Sequence, residues 1–156
     1  MAEPSSTHAT FTIERNYDAS PARVFAALSE IEAKARWFIG PEGWTLVDRR
    51  LDFRVGGREH VKGKFPNGPV TVFDGYYHDI VKDRRIVFAY DMHLDERYIS
   101  VSLATVDLFP AGKGTRLVFT EQAAFLDDYK DPDARGREQG TRAHLERLAK
   151  VLGERA

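Results

Sequence analysis

The chain of 156 residues contains no cysteine. That excludes a disulfide framework and any thiolate metal site. It also lacks an excess of either charge: 23 Lys and Arg stand against 24 Asp and Glu, a formal net charge of −1. No electrostatic case follows for nucleic acid or for an anionic membrane surface. Long apolar runs are missing too, and the opening MAEPSSTHAT lacks the apolar segment of a secretion signal. No membrane insertion is expected, and a cytoplasmic protein is the default. There is no repeat, low-complexity tract or internal linker. No dinucleotide fingerprint, G-x-S-x-G elbow or nucleophile–base pairing stands out. The histidines, His8, His60, His78, His93 and His144, show no ligand spacing, so neither a metal nor a cofactor is expected. Gly112-Lys113-Gly114-Thr115 has only part of a phosphate-loop pattern and links two strand-like segments, so it reads as a hairpin turn.

What the chain does have is aromatic carbon, with 10 Phe, 6 Tyr and 2 Trp. Residues 1–9 are small and polar and read as a flexible leader, with 10–156 as one domain. Phe11, Ile13 and Tyr17 alternate with polar residues as in a half-buried strand. Ser20-Pro21 signals a helix start, and Val24, Phe25, Leu28 and Ile31 follow at helical spacing. A second short helix is expected over Glu32 to Phe38, stopped by Gly40-Pro41. From Trp44 the period shifts toward two, which places strands near 45–55, 58–65, 70–81, 85–93, 100–109 and 115–124. With no helix between them, these strands form an antiparallel meander. Tyr129 to Asp133 is a polar connection into the closing helix, Arg137 to Leu152.

That helix carries Thr141, Leu145, Leu148, Ala149 and Leu152 on one face, and Arg142, Glu146, Arg147 and Lys150 on the other. Glu138–Arg142 and Glu146–Lys150 are four-residue pairs. An amphipathic rod needs an apolar bed, and the sheet is the candidate. To cover one helix with about seven strands the sheet must curl, with Gly56-Gly57 and Gly75 as places to bend. The fold class is α+β, in the order β-αα-β6-α.

Such a sheet leaves a void walled by inward side chains. Phe88, Tyr90 and Met92 share a face with Ile86, and Leu117, Phe119 and Glu121 share another. In 70–81, Phe73/Tyr77 and Val72/Tyr76 are both credible inward sets. Trp37, Phe38, Phe73, Tyr77, Thr141 and Leu145 complete the expected lining, although aromatics at such spacing also read as plain core. Glu138 either reaches the mouth or sits in solvent at the helix N-terminus. Glu121 is the most telling residue, because a buried carboxylate must find a partner or stay protonated. It either marks a site, or pairs with an arginine, or sits past the strand's end in water. Arg15 and Arg54, among apolar neighbours in strands, either brace acids or lie outward with snorkelling stems. Val101 and Leu103 share the face opposite Ala104 and Val106, which makes a homodimer conceivable.

Six segments in order carry a family resemblance. They are Arg15-x-Tyr17-x-Ala19-Ser20-Pro21-x-x-Val24-Phe25, Ala35-Arg36-Trp37-Phe38, Asp52-Phe53-Arg54-Val55-Gly56-Gly57, Phe73-x-Gly75, Arg85-Ile86-Val87-Phe88 and Gly112-x-Gly114-Thr115-Arg116-Leu117. With them the chain resembles, nearly end to end, the activator of heat-shock protein 90 ATPase homologue-like group of the SRPBCC (START-like, birch-allergen-like) superfamily. The resemblance implies a helix-grip fold, with a seven-stranded sheet around a long C-terminal helix and a cavity between them. The family's closing helix usually opens with Gly-Trp, where this chain has Gly140-Thr141. Members include ligand binders, a toxin-sequestering resistance protein and a co-chaperone domain, so fold does not settle function. The leading expectation is a module that binds a small apolar, lipid-like molecule. A chaperone-interaction module with a stress-response role is the alternative, and an enzyme using Glu121 or Glu138 as acid or base is the third.

Overall fold

The computed structural model describes residues 3–127 and 134–153. The expected polar connection from Tyr129 to Asp133 lies outside them. The elements are β1 (Ser6–Tyr17), α1 (Pro21–Ser29), α2 (Ile31–Lys34), β2 (Thr45–Leu51), β3 (Arg58–Lys64), β4 (Val70–Val81), β5 (Arg85–Leu94), β6 (Arg97–Ala111), β7 (Gly114–Leu126) and α3 (Ala134–Gly153). The seven strands form one antiparallel sheet in the order β1-β7-β6-β5-β4-β3-β2. It is curved and unclosed, with the C-terminal helix of a helix-grip α+β fold.

Five hairpins build β2 to β7, and only β1 pairs with a strand distant in sequence, β7. Both strands flanking α1 and α2 are sheet edges, so the helical pair carries the chain from one edge to the other. Ser20 Oγ accepts from the Arg23 N–H at 3.2 Å with Pro21 at the first helical position, which satisfies a donor the helix leaves open. α1 then buries Val24, Phe25, Ala27 and Leu28. Turn chemistry is equally local. Among the described residues, the non-glycine ones with left-handed backbone are Asn67, Asp83, Asp95 and Asp127, at φ of 55°, 62°, 54° and 59°, the residue types that best tolerate it.

Three differences from the sequence reading have physical causes. β1 begins at Ser6, inside the expected leader, and Ser6 to Ala9 pair with Leu126 to Ala123. The ladder of an exceptionally long partner strand orders them despite their polarity. β2 ends at Leu51, and Arg54 lies in the turn beyond it, 66% exposed and bonded to Asp52 at 2.9 Å. A glycine pair forces that turn: a Cβ on Gly57 would fall 2.0 Å from the Asp52 carbonyl oxygen. α2 closes at Lys34, and turn hydrogen bonds carry the chain to Phe38.

α3 lies in the concave face with Thr141, Leu145, Leu148 and Leu152 buried. The Tyr17 hydroxyl donates to the Leu145 carbonyl at 2.9 Å and Arg23 to the Leu152 carbonyl at 2.7 Å. Arg15 holds Glu146 at 3.0 Å, the bracing role open to it. Arg147 faces inward enough for its Nε to reach the Trp37 carbonyl at 3.1 Å. The helix is thus pinned along β1, α1 and the turn after α2, leaving space over the middle of the sheet.

Candidate functional site

Antiparallel register arranges the inward side chains in rows across the strands. One row runs Glu59, Gly75, Tyr90, Ser102 and Ala123 from β3 to β7. The next runs Tyr77, Phe88, Ala104 and Glu121 from β4 to β7. For β4 this resolves the two candidate faces: Phe73, Gly75 and Tyr77 are buried and Tyr76 is exposed. Each row holds one buried carboxylate, and each carboxylate finds its tyrosine in the other row.

At one end, Glu59 Oε1 accepts from Lys34 Nζ at 2.6 Å and from the Tyr77 hydroxyl at 2.8 Å. The Lys34 ammonium is buried and lies over the rings of Phe38, Trp37 and Tyr77, at 5.0, 5.9 and 5.9 Å, a favourable setting for a desolvated cation. Burial, with Glu59 beside it, pushes the Tyr77 phenol well above its usual range. His144 stands nearby, its Nε2 3.1 Å from the Ile39 carbonyl. Burial, then the Arg147 charge, lower it to about 3 despite that bond, with Lys34 and Arg49 adding to the effect. It is therefore a neutral imidazole at ordinary pH.

At the other end, the Tyr90 hydroxyl donates to Glu121 Oε2 at 2.7 Å, and Arg137 from α3 reaches the same oxygen at 3.4 Å. Arg137 also donates to Ser100 Oγ at 2.7 Å, to the Tyr90 oxygen at 3.1 Å and to Ser102 Oγ at 3.3 Å. Burial works against the Arg137 charge, but Tyr90 and Glu121 outweigh it and raise its pKa. Burial, reinforced by Glu121, also raises that of Tyr90.

Between these ends lies a cavity of about 320 Å³. Trp37, Phe38, Phe73, Tyr77, Phe88, Tyr90, Met92, Leu117, Phe119, Glu121, Thr141 and Leu145, all named from the sequence, are among its walls. Trp44, Phe65, Lys34, His144 and Arg137 add to them. Trp44 lies flat on β3, where a Cβ at Gly63 would come within 2.0 Å of its ring, and its indole N–H donates to Thr71 at 2.9 Å.

Glu138 is the exception. It lies outside the lining and pairs with Arg142 at 2.9 Å. A four-residue step back from Thr141 stays nearer the inward direction than a three-residue step, so Arg137 enters the cavity and Glu138 turns away. Sequence reasoning missed Arg137 for that reason, and it missed Lys34 and Glu59 altogether. A signal existed for Glu59, which alternates in phase with Val61 on β3, and for Lys34, three residues before Trp37. Among the described residues no cluster of His, Asp and Glu is arranged to hold a metal, and no helix is long and apolar enough to cross a membrane.

The family described as "Activator of Hsp90 ATPase homolog 1-like protein" matches residues 18–153. The chain belongs to this family. No curated protein matches it. Among solved structures, it is similar to an uncharacterized protein from Rhizobium leguminosarum at 43% identity and a TM-score of 0.92, covering 99% of this chain and 100% of the other. A protein from Rhizobium loti is similar at 46% identity and a TM-score of 0.87, covering 95% and 99%. A protein from Chromobacterium violaceum shares 26% identity at a TM-score of 0.73, over 92% and 96%. The likeness to these structures runs over nearly the whole of each chain.

Proposed function

We propose that this protein binds a small, mostly apolar molecule in the chamber between its sheet and α3. The observation that carries the reading is the chamber itself: about 320 Å³ walled by Trp, Phe and Tyr side chains from the sheet and from the turns after α2 and β3. Close-packed interiors seldom leave space larger than a water molecule. Ligand sites, by contrast, are concave and mostly apolar with a few convergent polar groups. Both tryptophans of the chain line the space, so occupancy has an intrinsic fluorescent reporter.

Titrating the protein with lipid-like and polyketide-like aromatic compounds, followed by tryptophan emission and native mass spectrometry, tests the reading. Saturable one-to-one binding is expected. Thr141 is buried in the wall of the chamber, and Thr141→Trp would install the residue usual in the family there. The larger ring should fill the space, so binding weakens more than tenfold while the thermal midpoint holds or rises. Undiminished affinity in T141W would place the ligand elsewhere. The family's name also carries a chaperone link. Stimulation of a heat-shock protein 90 ATPase by micromolar protein, with no ligand found, would reverse this order of preference.

A further inference from the structure

Counting hydrogen-bond capacity at the Glu121 end goes one step beyond a greasy chamber, and the step rests on the binding reading above. Glu121 is fully buried, at 0% exposure, and lines the cavity. Its Oε2 accepts from both Tyr90 and Arg137. Its Oε1 has no partner among the described residues. The residues directly beside it in the ladder, Ala104 and Phe11, have no polar side-chain hydrogen to give. A carboxylate oxygen buried without a donor is costly. Arg137 does not relieve it: its bonds run to Ser100, Ser102, Tyr90 and Glu121 Oε2.

We infer that the ligand carries a neutral hydrogen-bond donor, a hydroxyl or N–H, that sits on Glu121 Oε1, and that carboxylates of the same shape are rejected. The donor supplies what the walls lack. A carboxylate would instead bring a second negative charge against an acceptor, away from water, where the neighbouring Arg137 is already matched by Glu121. The site therefore reads a neutral head on an apolar body, an alcohol, phenol or amide, and it discriminates by leaving the wrong partner unpaired.

Calorimetry on the unmodified protein with four matched probes tests this: para-propylphenol, para-propylanisole, propylbenzene and para-propylbenzoate. The phenol should bind at least tenfold tighter than the anisole, which keeps the oxygen but loses the donor, and tighter than propylbenzene by a similar factor. The benzoate should bind weakest. In Glu121→Gln, which keeps the shape but removes the charge, the benzoate should recover at least tenfold with propylbenzene unchanged. Anisole or propylbenzene binding as well as the phenol, or a preference for the benzoate, overturns the inference and leaves the chamber reading standing. Failure of every probe to bind removes both. The comparison of probes on unmodified protein decides the matter even if E121Q does not fold.

Discussion

The two buried carboxylates are made from one recipe and put to different ends. Each takes a tyrosine from the neighbouring row of the sheet and a cation from a helix. Glu59 receives its cation, Lys34, from the one-turn helix α2, with three aromatic rings about the ammonium, and it is not part of the cavity wall. Glu121 receives Arg137 from the start of α3, at a looser 3.4 Å, and it lines the cavity. A short ion pair walled by rings acts as a strut between α2 and β3. A longer pair whose carboxylate lines the cavity with an oxygen left over is suited to recognition. Burial alone does not separate them, since both carboxylates are nearly inaccessible. Nor does acceptor use, since each carboxylate keeps one oxygen without a partner among the described residues. What separates them is the tightness of the ion pair and what the side chain faces.

The largest expected effect tests the strut. Lys34→Met leaves Glu59 buried with only Tyr77, and should lower stability by roughly 3–5 kcal/mol, read from urea denaturation. Replacing both partners with apolar side chains, Lys34→Met with Glu59→Leu, should recover most of that, because a buried pair is little better than a well-packed apolar one. If the double variant is no more stable than K34M, the strut assignment is wrong. Arg137→Met should cost less, about 2–3 kcal/mol, because Tyr90 still donates to Glu121 Oε2. A loss equal to that of K34M would erase the distinction between the ends.

A smaller effect is set by protons at the Lys34 end. His144 has its pKa lowered to about 3 in the folded chain, against about 6.5 when unfolded. Between those values the unfolded chain takes a proton that the folded one refuses. Its share of the stability is therefore complete above pH ~6.5 and shrinks as pH falls toward ~3. At pH ~5 the loss attributable to this residue should be about 2 kcal/mol. The check is the difference between wild type and His144→Gln denatured at neutral and at mildly acid pH. Parallel pH profiles for the two proteins would show that His144 is not held neutral by burial.

Periodicity made the strand faces readable. Glu121 was visible as inward because Leu117 and Phe119 share its phase, and the cavity-facing aromatics followed by the same two-residue rule. Capping residues announced α1, and Gly112-Lys113-Gly114-Thr115 announced the last hairpin. Arg137 was not visible in that way. At a helix end a shift of one residue turns a side chain by about 100°, and no neighbour upstream fixes the phase. Lys34 and Glu59 escaped because charged residues are ordinarily assigned to solvent. Only their mutual proximity makes their burial tolerable, and nothing local reports it.

By itself, then, the amino-acid order determined the elements, the faces they bury and the greasy character of the space between them, since these depend on contacts within a few residues or on repeating patterns. Tertiary structure alone decided which charges meet. Lys34 and Glu59 lie 25 residues apart, and Arg137 and Glu121 lie 16 apart. Their distances depend on how far the sheet curls and how α3 is rotated in it, a sum of many small packing choices. Coulomb and hydrogen-bond energies change steeply with ångström shifts, so the chemistry of the cavity ends becomes definite only once the whole chain is in place.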